Sequence, residues 1–294
     1  MLFEQRLQSI KLSTNEKIIA DFILRQKENL AHLTTRDIAK LTYTSSSTVV
    51  RLSQKLNYRG FEELKRDYLQ ELKYIHEHFQ NIDPNLPFNS ENTLMDIAAL
   101  NTTLIKETAD DTLSLIHHDT LQKAIQLLTN AKNIYLHGIE NNHSLLELFK
   151  YNMIRINRSI IHERDYGNQV YTALQSNLDA CAIIVSYSGE SRDLLNVAHY
   201  LKKRQCPIIT ITSLGENNLS RTSSCSLYIS TREKMTSKIA PFSIEYSILL
   251  ILNILYSGIF LQDYNKNIEL KIERIKKIEG SRYTSSSILK EEEI

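Results

Sequence analysis

The residues best placed to do chemistry are Ser186, Ser188 and Ser191, spaced around Gly189 in the run Ile184-Val185-Ser186-Tyr187-Ser188-Gly189-Glu190-Ser191. An apolar stretch from Ala182 to Val185 stops at these hydroxyls. An amphipathic stretch follows at once, with Leu194, Leu195, Val197, Ala198 and Leu201 on one face. Strand, hydroxyl-rich turn and helix start together can hold a phosphate without a metal. The first turn of a helix has unpaired N–H groups and a partial positive charge, so an anion there collects several hydrogen bonds together. Glycine lets the backbone approach closely, and serine hydroxyls add donors. The same residues also fit an ordinary turn whose serines cap the helix; the motif favours the phosphate.

A second chemical set lies near the N-terminus. Ser45, Ser46, Ser47 and Thr48 open an apolar-periodic stretch carrying Val49, Val50, Leu52 and Leu56. From Ile38 to Phe61 there is no Asp or Glu, but there are Lys40, Arg51, Lys55 and Arg59. A stretch free of acids in a mixed-charge region suits a polyanionic partner. Two short helices, a tight turn at Thr42-Tyr43-Thr44 and a helix starting in hydroxyls make a helix-turn-helix, whose second helix enters the DNA major groove by its N-terminal end. The residues expected to face double-stranded DNA are Thr35, Arg36, Ser45, Ser46, Ser47, Thr48, Arg51, Lys55 and Arg59. Arg51 suits a base edge, and Lys55 and Arg59 suit phosphates. The alternative is that the serines only cap and the cations are solvated.

The elements that position these groups follow from periodicity. Residues 1–80 read as all-α. Ser13 and Glu16 form a capping box opening a helix with Ile18, Ile19, Phe22 and Ile23 inward. A further helix starts at Thr34 or Thr35, another at Ser45, and a longer one runs from Phe61 to about Phe79. Residues 81–92, with Pro84 and Pro87, read as a linker. Helices are expected at about 93–109 and 119–129. Strands follow at 133–137, 159–162, 181–186, 207–212 and 226–229, with helices between them and a long helix from about Ala240 to Phe260. Apolar strands alternating with helices predict a five-stranded parallel sheet with helices on both faces, over residues 93–264. Residues 265–294 read as a charged tail beginning as a helical extension.

Bulk properties bound the possibilities. The 294 residues suit two domains, and 42% hydrophobic content supports a real core. The net charge of +1 demands neither nucleic acid nor membrane globally. Cys181, Cys206 and Cys225 lie in strand-like runs without CxxC spacing, so neither a disulfide nor a zinc site is expected, which fits a reducing cytoplasm. No metal, cofactor or cleavable leader is expected. The run from Ile248 to Phe260 is short for a bilayer span of ~20 residues and better suits a core or dimer interface.

Two motifs together resemble the RpiR family of bacterial transcriptional regulators, over roughly residues 1–260. The first is Ser45-Ser46-Ser47-Thr48-Val49-Val50-Arg51-Leu52 with Lys55-Leu56-Asn57 and Gly60-Phe61. The second is Ser186-Tyr187-Ser188-Gly189-Glu190-Ser191, followed by Ile209-Thr210-Ile211-Thr212-Ser213. The resemblance implies a helical DNA-binding domain followed by a sugar-isomerase-type (SIS) domain that binds a phosphosugar. It also implies a homodimer or tetramer placing two reading helices on one operator, with the 81–92 linker carrying the coupling. In that pattern the loop after the first strand is Gly-x-Gly-x-Ser. Here it is Gly138-Ile139-Glu140-Asn141-Asn142, with Ser144 as an adjacent hydroxyl. The expected phosphosugar set is therefore Gly138, Glu140, Asn142, Ser144, Ser186, Ser188, Gly189, Ser191 and Glu233. Glu140 turns outward, repels a phosphate, or accepts sugar hydroxyls. Glu233, before the last long helix, binds a hydroxyl, serves as a base, or is a solvated charge. A phosphosugar isomerase or lyase with an appended helical domain is the alternative. It lacks a convincing acid–base pair, so no catalytic residue is assigned. A dimerisation scaffold with a vestigial pocket is the third and weakest reading.

Overall fold

The computed structural model describes residues 3–8, 10–78 and 82–279. The junction expected at residues 80 and 81, and the chain from 280 on, lie outside the described residues.

The N-terminal region is helical. Helices α1 (Phe3–Gln8), α2 (Thr14–Gln26), α3 (Thr35–Leu41), α4 (Ser46–Lys55) and α5 (Phe61–His78) surround one apolar core. Ile19, Ile23, Ile38, Val49, Leu52, Phe61 and Leu64 fill it. The capping box of α2 forms as the sequence predicts, and a second, Thr34 with Asp37, starts α3. Helix α4 ends at Asn57, which takes the left-handed conformation (φ 66°) that asparagine tolerates. Two pieces escape local pattern reading: α1, and a 3-10 turn over Lys27–His32. Helix α1 is held from a distance, with the Phe3 ring 4.6 Å from Tyr68 and the Phe3 N–H donating to the Glu71 carboxylate at 2.8 Å.

Residues 82–92 do not hang free. Asn85 is buried, accepting the Lys234 N–H at its side chain (2.6 Å) and the Ile239 N–H at its carbonyl (2.9 Å). Arg232 donates to the Ile82 carbonyl at 2.7 Å. The expected linker is thus seated on the loop that carries Glu233.

After α6 (Leu94–Ser114) and α7 (His118–Asn130) the chain builds a five-stranded parallel sheet in the order β2-β1-β3-β4-β5. The strands are β1 (Asn133–His137), β2 (Ile160–His162), β3 (Ala180–Ser186), β4 (Ile208–Ser213) and β5 (Cys225–Ile229). Between them run α8 (Asn142–Arg155), α9 (Tyr166–Gln175) and α10 (Arg192–Lys203). Successive side chains on a strand point to opposite faces. Cys181, Ile183 and Val185 of β3 accordingly join the core with α7, α8 and α11 (Phe242–Gln262), while Ala180, Ala182 and Ile184 join the core with α9 and α10. Burial on both faces explains the unbroken apolar run.

Helix α11 agrees with the long helix expected from about Ala240 to Phe260. It has 21 residues and a mean hydropathy of 1.8 in its most apolar window, long enough by length and composition to cross a membrane. Ile244, Ile248, Ile251, Leu252, Leu255 and Ile259 are buried in the sheet core, so it is the core helix of this fold. Helix α12 (Tyr264–Glu279) follows and is tied to the end of α8 by Arg274, which donates to the Ile154 carbonyl at 3.2 Å.

Candidate functional site

In a sheet of this order, the chain leaves the carboxyl ends of β1 and β3 in opposite directions, which is where ligands bind in open α/β sheets. Both expected loops leave from there, because β1 and β3 are neighbours with His137 opposite Ile184. The amide of Asn142 donates to the Val185 carbonyl at 3.4 Å, and Asn141 donates to Glu245 of α11 at 3.1 Å.

Gly189 holds φ at +66°, and a Cβ there would lie 2.0 Å from Asn217 Oδ1, so only glycine fits. Leu219 N–H donates to the Gly189 carbonyl (3.1 Å) and Ser213 N–H to the Tyr187 carbonyl (3.0 Å), fixing the loop at both ends. Ser188 accepts from the Glu190 N–H at 3.1 Å. Ser191 is the N-cap of α10 but makes no capping hydrogen bond. The pure capping role therefore does not hold, and the donors of that helix end stay available. The Glu190 carboxylate turns away to accept from Asn218 N–H (3.0 Å) and Nδ2 (2.7 Å).

The remaining expected residues fall unevenly. Gly138 is buried and accepts from Gln169 Nε2 at 3.0 Å. Ser144 is exposed on the first turn of α8. Glu140 is exposed and takes φ 51°; its carbonyl accepts the His143 N–H at 3.2 Å, and its carboxylate makes no hydrogen bond or ion pair among the described residues. Glu233 is not a solvated charge. It is wholly buried, accepts the Ser243 N–H at 2.5 Å, and pairs with Lys238 at 3.0 Å. Burial raises its pKa, against the pull of Lys238. Its carbonyl accepts the Tyr187 hydroxyl at 2.6 Å, and Lys238 lies over the Tyr187 ring.

A histidine cluster lies at the same sheet edge. His162 Nδ1 lies 2.7 Å from Glu147, and its Nε2 lies 3.0 Å from His143 Nδ1. A carboxylate accepts, so His162 donates from Nδ1 and accepts at Nε2 the proton of His143. His137 is fully buried, with the Gln169 side chain as the polar group beside it. Burial pulls its pKa down to about 4 and also lowers those of His143 and His162. The register Leu136 opposite His162 brings the cluster together, which no local spacing announces.

On the helical head, Ser45 Oγ caps α4 by accepting the Thr48 N–H at 3.2 Å and lies 2.7 Å from Ser47 Oγ. Thr48 is buried, and Ser46 Oγ reaches the Thr35 carbonyl at 3.5 Å, pinning α3 to α4. Ser47, Arg51, Lys55 and Arg59 are exposed, as is Arg36 on α3. Two exposed residues join them. Gln54 lies three positions beyond Arg51, and Tyr43, 97% exposed at φ 52°, sits at the turn between α3 and α4. The acid-free stretch is acid-free only along the chain: Glu16 of α2 pairs with Lys55 and Arg51, and Glu63 of α5 lies 4.0 Å from Arg59.

Residues 1–74 match the helix-turn-helix domain of the rpiR family, and residues 127–257 match the SIS domain. The chain belongs to the RpiR family of transcriptional regulators. It is 27% identical over 280 residues to the uncharacterized HTH-type transcriptional regulator YfhH of Escherichia coli (strain K12), covering 94% of this chain and 95% of that one. It is 24% identical to the uncharacterized HTH-type transcriptional regulator YbbH of Bacillus subtilis (strain 168), over 86% and 88% of the two chains. In fold, the RpiR chain is similar to the Vibrio vulnificus NanR protein complexed with ManNAc-6P: TM-score 0.63 and 21% identity, over 96% of this chain and 98% of that one. The sugar isomerase domain of an RpiR transcription factor from Sphaerobacter thermophilus aligns at TM-score 0.55 and 13% identity, over 62% and 99%.

Proposed function

We propose that this RpiR protein is a cytoplasmic transcriptional regulator whose affinity for a double-stranded DNA operator changes when a phosphosugar binds the sheet domain. One observation carries it: a helix-turn-helix head with an exposed Ser47, Arg51 and Gln54 face and a hydroxyl-lined anion loop at a sheet switch point occur in one chain. Residues 1–80 form the DNA head, and residues 93–264 the ligand and assembly domain. Ser186, Ser188, Ser191 and the first N–H groups of α10 take the phosphate. Gly138, Glu140, Asn142 and Ser144 face the sugar, and Glu233 with Lys238 shapes the far wall. The ManNAc-6P of the NanR neighbour supports a sugar phosphate as the effector class.

The chain works as a homodimer or tetramer. Leu148, Tyr151 and Ile154 form an exposed apolar stripe along α8, a face suited to a second copy. Enrichment of duplexes from a random pool, followed by footprinting, tests the DNA assignment. Pseudo-palindromic sites with half-sites about one helical turn or a multiple apart are expected. Failure to enrich any sequence excludes it.

A second reading, an isomerase, is favoured by the Glu147–His162–His143 relay, which could move a proton between adjacent carbons. Incubation of sugar phosphates in deuterated water, read by NMR, distinguishes the two. A regulator leaves the sugar protons unexchanged.

A further inference from the structure

Glu16 stands at the N3 position of α2, where its carboxylate accepts the Ser13 N–H at 2.8 Å and closes the capping box. The same carboxylate reaches across to the recognition helix α4. Its Oε2 lies 2.9 Å from Lys55 Nζ, and its Oε1 lies 3.4 Å from Arg51 Nε. Capping needs one acceptor oxygen, which glutamine supplies as well as glutamate. The charge is therefore not explained by the cap.

The exposures differ sharply: the Glu16 side chain is 5% exposed, that of Arg51 64%. The carboxylate lies under the helix, and the guanidinium extends past it to solvent. A contact through Nε leaves both terminal NH2 groups of Arg51 without a partner among the described residues. They form the fork that matches the O6 and N7 acceptors of guanine. An arginine already anchored loses less rotamer freedom on binding. Lys55 is placed differently, because its charged Nζ itself hydrogen-bonds the carboxylate, although the side chain stays 38% exposed. The hydrogen bond from Lys55, with that of the Ser13 N–H, holds the Glu16 pKa down to about 2, so the pair persists at neutral pH.

We propose that Glu16 is a positioning and specificity-determining residue for DNA recognition: it aims Arg51 at a guanine edge and withholds Lys55 from the phosphate backbone. The inference rests on the DNA-binding reading above.

The Glu16→Gln variant keeps the cap and removes the charge. Its affinity is measured for a duplex enriched by the wild-type protein and for a scrambled duplex, over a range of salt. Release of Lys55 raises affinity for the scrambled duplex at least fivefold at low salt. It also steepens the dependence of log K on log salt by about 0.9, the slope of one added phosphate contact. Loss of Arg51 alignment lowers the ratio of enriched to scrambled affinity about tenfold or more. Adding Lys55→Gln to this variant abolishes the extra slope but leaves the lost discrimination. A purely structural role lowers thermal stability while leaving ratio and slope at wild-type values, which overturns the inference. Should Glu16→Gln not fold, Lys55→Gln in the wild-type background decides. An unchanged salt slope supports a withheld Lys55, and a slope flatter by about 0.9 refutes it. A wild-type protein that enriches no sequence fails the DNA reading itself, a result distinct from these.

Discussion

At the residue scale, three side chains test the ligand loop and its surroundings. Ser188→Ala should weaken sugar-phosphate binding by about 1.5–3 kcal/mol, the range for a hydrogen bond to a charged group. DNA affinity without ligand should not change. Calorimetry giving equal affinities would remove Ser188 from the site. Glu140 stands where the family pattern has glycine and holds a left-handed φ of 51°, so Glu140→Gly fits the backbone without strain. With the fold intact, the change reports on the carboxylate alone. Weaker binding of the cognate sugar phosphate is expected, because a carboxylate accepts sugar hydroxyls. Tighter binding would mean that it repels the phosphate. His137 has a folded pKa of about 4 against an ordinary 6.5, because burial disfavours its charged form. The unfolded chain therefore takes up a proton first as pH falls, and stability present above 6.5 is lost as pH drops toward 4. At about 1.4 kcal/mol per pKa unit the loss is on the order of 3 kcal/mol. Denaturant melts at pH 7 and pH 4.5 should show it, and His137→Phe should flatten it. The strand, turn and helix start that carry Ser186, Ser188 and Gly189 were legible in the sequence because their pattern is local. The histidine cluster and the Glu16 contacts were not, because each depends on strands or helices brought together by the fold.

At the element scale, the turn between β3 and α10 depends on one glycine. Gly189→Ala places a methyl 2.0 Å from Asn217 Oδ1 at a φ of +66°. It should cost about 1–3 kcal/mol in backbone strain, displace Asn217, and abolish the ligand response. A variant with wild-type melting temperature and ligand affinity would contradict this geometry. The five strands fall within one residue of their expected positions, because an apolar run between polar breaks marks a doubly buried strand whatever its neighbours. Helix α1 was not legible. Six residues show too little periodicity, and its anchors, Tyr68 and Glu71, lie more than sixty positions away. The segment 82–92 reads as a linker from its prolines, and only the tertiary contacts of Asn85 show it seated on the Glu233 loop.

At the scale of the whole molecule, the two sites are joined by a short run of hydrogen bonds. Gly189 and Glu190 hold the segment 217–222 through Leu219 and Asn218, as described above. From that segment Arg221 Nη2 donates to the Asn57 carbonyl at 2.5 Å, at the C-terminal end of the recognition helix. A ligand that reshapes the anion loop therefore has a route to the reading head besides the 82–92 segment. Arg221→Ala should leave sugar-phosphate affinity unchanged and reduce the factor by which the ligand alters DNA affinity. That factor is a coupling free energy and is equal in both directions. An unchanged coupling factor would take Arg221 off the route. On this reading one chain both reads DNA and reports on a phosphosugar. Fluorescence anisotropy of a labelled, enriched duplex, titrated with protein in the presence of each of a panel of sugar monophosphates, tests it most directly. At least one should shift the apparent Kd tenfold or more for the wild-type protein and far less for Ser188→Ala. Tight, specific DNA binding that no sugar phosphate alters, or an equal shift in the Ser188→Ala protein, would contradict it.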